Sequence, residues 1–292
     1  MRAATRMRIR RGVAQALATS EWPEIDQTLI QFDIPTNDQW AGGDKVGYIL
    51  AMTGHASDSD LLEIAEYCEV NIGGEVAQQT QLRIWPRSGL RLFISHLSTR
   101  RAICNELSER LQKYGIVCFV AHDAINPDEL WQREIESGLR TADALLALLE
   151  PDFHASFWTD QEVGWAKGRE IPVYCLRHEQ DPYGFMAERQ GIPVPDIDDA
   201  QGIADRVYGV VSRRSENKSK LIVGMLDQLS DSRNYQISNL IAERINQLDS
   251  WEPSHNELLL RAISGNRQVR EANAVTDLLR PHVELTGGEW PL

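Results

Sequence analysis

The residues best placed to do chemistry fall in one stretch, Ser156-Phe157-Trp158-Thr159-Asp160-Gln161-Glu162, in the loop and helix start that follow an apolar run from Ala144 to Leu149. Thr159 or Ser156 can cap a following helix, which places Glu162 in its first or second turn, where the positive end of the helix dipole stabilises a carboxylate. Trp158 precedes Glu162 by four residues and Trp165 follows it by three, so one helix face presents an acid between two indoles. An anion between aromatic walls suits a cationic ring such as a ribosyl-pyridinium. Taken alone, Glu162 also reads as a capping residue and the two indoles as core.

Other loops offer fewer groups. Ser95 and His96 follow the run Leu92-Phe93-Ile94, and His122 and Asp123 follow Ile116 to Val120. Neighbouring residues on an extended chain point oppositely, so Ser95 and His96 do not form a nucleophile and base pair. No Gly-x-Gly-x-x-Gly or Gly-Lys-Ser/Thr stands after the first strand, which argues against a dinucleotide-fingerprint dehydrogenase or a P-loop NTPase. The histidines lack ligand partners at metal-binding spacing, so no metal is expected.

These loops need a scaffold that brings them together. From Leu90 onward, short apolar strands (Leu92–Ile94, Ile116–Val120, Ala144–Leu149, Ile171–Leu176) alternate with helical patterns, the last from Ile203 to Val211. That alternation predicts a parallel sheet with helices on both faces and ligands beyond the carboxyl ends of the strands. Residues 1–88 read as an N-terminal helical domain ended by Trp85-Pro86-Arg87-Ser88-Gly89, with Ser57 or Asp58 capping its last helix. The central domain spans 90–212, residues 213–220 read as a polar linker, and 221–292 as a C-terminal helical segment.

Composition bounds the function. A formal net charge of -13 argues against nucleic acid, and no apolar run is long enough to span a bilayer. The cysteines Cys68, Cys104, Cys118 and Cys175 stand singly among apolar residues, as free thiols in a reducing cytosol would. Five arginines in the first eleven residues suggest a solvated basic arm that docks on an acidic surface, and residues 12–82 supply one with twelve acids against the single base Lys45.

Read together, the motifs resemble the TIR (Toll/interleukin-1 receptor) domain in its bacterial, NAD-cleaving form. Phe93-Ile94-Ser95-His96 is similar to the first-strand box. Ala121 to Ile125, through Trp131 to Ile135, resembles the BB loop and the helix behind it. Ser156 to Val163 matches the third-helix signature, and Asp181-Pro182-Tyr183-Gly184-Phe185 is similar to a segment of bacterial members. The resemblance implies a flavodoxin-like five-stranded sheet of order 2-1-3-4-5. It also implies hydrolysis or cyclisation of NAD as substrate, with no cofactor, and Glu162 as the catalytic residue. Trp158, Trp131, Ser95, His96 and Asp123 are the expected substrate contacts. Asp123 can equally cap a turn and Trp131 can equally be core. The arginine pair that follows the first strand in the animal axon-degeneration enzyme is replaced by His96-Leu97-Ser98. The resemblance further implies a cytoplasmic homo-oligomer, assembled through the TIR domain and helical flanks, switched on by an activating ligand or protein and acting in antiphage defence. A non-catalytic adaptor working by TIR–TIR association is the alternative.

Overall fold

A computed structural model describes residues 3–32, 34–37, 40, 42–54, 56–68, 70, 84–120, 129–188 and 190–291, with the side chains of 3–5, 58, 59, 63, 66 and 129–133 outside the description. The chain divides into two units, Met1–Arg83 and Ile84–Leu292.

The first unit contains the helices α1 (Ala3–Leu17), α2 (Trp22–Gln31), α3 (Lys45–Met52) and α4 (Asp58–Tyr67). Ile9, Val13 and Leu17 recur at helical spacing and bury against Ile25, Leu29, Ile49, Leu61 and Ile64. Ser57 caps α4 reciprocally: its Oγ accepts from the Asp60 N–H, and the Asp60 carboxylate accepts from the Ser57 N–H. The basic stretch is not an irregular arm, although Arg8 and Arg11 are exposed. It is part of α1, where Arg6 donates to the Ala56 carbonyl and Arg10 to the Leu50 carbonyl and Thr53 Oγ1. The Leu50 carbonyl lies in the last turn of α3, where carbonyls lack a helical partner, and the Arg10 guanidinium satisfies it while complementing the negative end of the dipole.

The second unit is built on a wholly parallel sheet of order β2-β1-β3-β4-β5. Along the chain its elements are β1 (Leu90–Ser95), α5 (Arg101–Gln112), β2 (Ile116–Val120), α6 (Glu129–Thr141), β3 (Ala144–Leu149), α7 (Thr159–Gly168), β4 (Val173–Arg177), β5 (Ile192–Pro193) and α8 (Ala200–Val211). This is the flavodoxin-like α/β architecture and the expected strand order. Alternation along the strands divides the core in two. Leu92, Ile94, Leu146 and Leu148 pack with α5 and α8, whereas Phe93, Leu145, Ala147 and Leu149 pack with α6 and α7. Trp85 belongs to this second layer, its Nε1 donating to Thr141 Oγ1 at 2.8 Å, so the α/β unit starts ahead of the Pro86-to-Gly89 turn. The two-residue β5 has no sequence pattern of its own and exists through its register with β4.

After α8 come α9 (Ser215–Ser230), α10 (Tyr235–Gln247), α11 (Pro253–Gly265), the short α12 (Arg267–Arg270), a π-turn at Val275–Leu279 and α13 (Arg280–Leu285). The expected linker at 213–220 is helical from Ser215 onward. Its charged residues face solvent, while Asn217 turns inward and donates to the Val211 carbonyl (2.9 Å) and Tyr174 Oη (3.2 Å). Leu221, Ile222 and Met225 of α9 share one continuous core with Leu90 and Ile116 of the sheet, so these helices extend the α/β core.

His255 makes this extension sensitive to pH. The ring is fully buried, its Nδ1 accepts from the Glu252 N–H at 3.0 Å, and its Nε2 lies 3.1 Å from Ser219 Oγ beneath Trp251. An Nδ1 acceptor requires a neutral ring. Burial lowers the imidazole pKa below its ordinary 6.5, against the opposing effect of Glu252. The folded state therefore resists protonation more than the unfolded chain. Stability is fully present above about pH 6.5 and falls as the pH drops from there towards the lowered folded value. The melting temperature is expected to decline between pH 7 and 5, with a shallower slope in His255→Gln, which keeps an acceptor for Glu252. Equal slopes in the two proteins would remove His255 as the cause.

Candidate active site

In α7, Thr159, Glu162, Val163 and Ala166 form a buried stripe at intervals of three and four residues, and Val163 and Ala166 dock the helix on the sheet. Glu162 occupies a core position in this stripe and is 4% exposed. Opposite it stands Ser95, the last residue of β1, on the same face of the sheet as Phe93 and entirely buried. Ser95 Oγ donates to Glu162 Oε2 at 2.5 Å. Ser95 is in register with Ala147, so the pair lies at the carboxyl ends of β1 and β3, where the strand order reverses and parallel α/β sheets bind ligands.

The helix start differs from the expectation. Trp158 is the N-cap residue, with no side-chain cap: Ser156 Oγ accepts from the Trp158 N–H, and Thr159 Oγ1 donates back to the Phe153 carbonyl. The first helical bond runs from the Glu162 N–H to the Trp158 carbonyl at 2.9 Å, which fixes the four-residue spacing between indole and acid. Trp158 is half-buried, whereas Trp165 is 38% exposed and lies further out than Glu162. His96 follows the end of β1 and is buried, with Nδ1 3.3 Å from the carbonyl of Ile94. Asp123 and His122 lie outside the described residues. The backbone of Trp131 is in the first turn of α6 and its side chain lies outside the description.

Two polar arrangements at this end of the sheet went unread in the sequence. Arg100, in the 3₁₀ turn after β1, donates to Glu150 at the end of β3 at 2.6 Å; this bond and nearby acids hold the guanidinium above its ordinary range. The only signal was an acid directly after β3 and a base five residues after β1. Tyr183 donates to Asp160 in the first turn of α7 at 2.6 Å, with the His154 ring edge-on to it, and burial followed by this bond pushes the phenol pKa up. The Asp181-to-Phe185 segment thereby meets α7 on its outer side. Phe157 and Phe185 are 87% and 72% exposed.

Burial raises all four thiols, Cys68 and Cys175 to about 11 and Cys104 and Cys118 to about 12, so none is a ready nucleophile at neutral pH. Among the described residues no group of three or more His, Cys, Asp or Glu side chains is placed to hold a metal ion, and no helix is long and apolar enough to cross a membrane. The site therefore offers a buried carboxylate held by a hydroxyl, at the mouth of a parallel sheet.

No curated protein matches the chain. The TIR domain family model matches residues 92–208, a span that holds nearly all of the sheet together with Ser95 and Glu162, so this segment of the chain is a TIR domain.

Proposed function

We propose that this TIR domain cleaves the bond between nicotinamide and ribose in NAD, with Glu162 as the catalytic carboxylate. The observation that carries the proposal is the burial of Glu162 against Ser95 at the carboxyl ends of β1 and β3. A glutamate serving only as a helix cap would stand in solvent.

One carboxylate suffices for this reaction. Glycosidases need a second because an alkoxide leaving group must be protonated. The C1′–N bond of NAD breaks with its electron pair passing to the pyridinium nitrogen, so nicotinamide departs neutral and needs no acid. Glu162 stabilises the oxocarbenium-like ribose electrostatically. Water adding at C1′ gives ADP-ribose and a proton; attack by a nucleophile of the same ADP-ribosyl group gives a cyclic isomer. Trp158, four residues ahead of Glu162, is the residue proposed to face the nicotinamide ring, with Trp131 and Asp123 as further contacts. By the family resemblance, activity is expected to need association of copies through the TIR domain and helical flanks, with an activating ligand or protein, in the cytoplasm during antiphage defence.

Incubating the full-length protein with NAD under crowding conditions that drive association should release free nicotinamide, and chromatography of the other product separates ADP-ribose from a cyclic isomer. The exposed Phe157 and Phe185 favour a second reading, an adaptor acting through association alone. Association without nicotinamide release would establish that reading in place of the first.

A further inference from the structure

The sequence places Ser95 at a strand end, where a hydroxyl can meet a substrate. The fold gives it different surroundings. Ser95 follows Phe93 on the α6 and α7 face, is fully buried, and its hydroxyl proton is directed at Glu162 Oε2. An ionised carboxylate only accepts, so the direction of this bond is fixed by chemistry. With the carboxylate ionised the bond is charge-assisted and stronger than a neutral one.

We propose that Ser95 is the positioning residue for Glu162: its hydroxyl, carried on the rigid end of β1, fixes the carboxylate of α7 in one rotamer. This rests on Glu162 being the catalytic group. The anchor is well chosen mechanically, because β1 is hydrogen-bonded on both edges, by β2 and β3, while α7 reaches the sheet only through side chains such as Val163 and Ala166. A carboxylate attached to a helix needs such a tie if it is to stay within the few tenths of an ångström that transition-state stabilisation requires. A hydroxyl serves better than a cation here, since a full positive charge would weaken the attraction of the carboxylate for a cationic transition state.

The test measures nicotinamide release in the full-length protein carrying Ser95→Ala, Ser95→Cys and Ser95→Thr, alongside Glu162→Gln and the parent. Losing a hydrogen bond to a charged group should lower kcat for Ser95→Ala by about 10–100-fold. KM is expected to stay within about threefold, because a fully buried hydroxyl directed at Glu162 acts on the substrate only through that carboxylate. Ser95→Thr, which keeps the hydroxyl, should recover most of the rate, and Ser95→Cys, a near-isosteric but weaker donor, should fall between. Melting temperatures close to the parent's exclude a folding defect as the cause. A parental kcat in Ser95→Ala overturns the proposal. So does a faster rate, which would make the bond a latch that restrains Glu162, and so does a change confined to KM, which would make Ser95 a substrate contact. If the parent releases no nicotinamide, or Glu162→Gln matches it, the assignment of Glu162 itself fails, an outcome distinct from a failure of Ser95 alone.

Discussion

Glu162→Gln is expected to lower the rate of nicotinamide release by on the order of a hundredfold or more, about 2.7 kcal/mol of transition-state stabilisation, with little change in KM. Glutamine is nearly isosteric and its amide oxygen can still accept from Ser95, so the buried stripe Thr159, Glu162, Val163 and Ala166 keeps its packing. What disappears is the negative charge. That charge matters most when positive charge develops on the ribose, and in a poorly solvated site it acts with little screening. Leaving the packing intact makes the substitution a cleaner probe than Glu162→Ala, which would open a cavity as well. The measurement is steady-state nicotinamide release, under conditions where copies associate, with unfolding followed in parallel. A Gln variant as fast as the parent would remove Glu162 from the mechanism.

A second large effect is expected far from this site, at the amino end of the sheet. Gly115 links α5 to β2 with φ at +75°, a conformation strained for any residue with a Cβ, and a Cβ there would lie 2.2 Å from the Leu221 carbonyl oxygen of α9. From the other side, a Cβ on Gly224 would lie 2.4 Å from the Gly115 carbonyl oxygen. Both obstacles are backbone, so no side chain can swing away to relieve them. Gly115→Ala should therefore combine left-handed strain with overpacking and destabilise the chain by about 2–6 kcal/mol. Gly209→Ala in α8, where nothing lies within 4 Å of the added methyl, should instead stabilise by up to about 1 kcal/mol. Denaturant midpoints of the two variants compare them directly. Indistinguishable midpoints would mean that α9 does not pack on the strand ends as described.

How much was legible depended on whether the governing interactions were local. The strand and helix pattern of the α/β unit could be read because apolar runs and helical spacing are properties of neighbouring residues, as in Ala144–Leu149 and in Ile103, Leu107 and Leu111. The cap at Ser57 was readable for the same reason. The polar stretch before Leu221 misled, since Glu216, Lys218 and Lys220 share the look of a linker with the solvent face of an amphipathic helix. The inner face of α9 was decided by Leu90 and Ile116, more than a hundred residues away in the chain. The basic N-terminal stretch misled in a similar way, because the carbonyls that Arg6 and Arg10 satisfy, those of Ala56 and Leu50, lie 50 and 40 residues away along the chain.

The sequence by itself determined the class of fold, the order of the loops and the acid on the third of them, because periodicity and motif spacing are written along the chain. Only the tertiary structure decided what kind of carboxylate Glu162 is. Its helix position is compatible with a solvated cap and with a buried, hydrogen-bonded group alike. The difference comes from Ser95, sixty-seven residues earlier, which the parallel pairing of β1 with β3 brings under α7. Strand pairing and helix docking are long-range, so the partner that desolvates, orients and hydrogen-bonds Glu162 has no trace in its neighbouring residues.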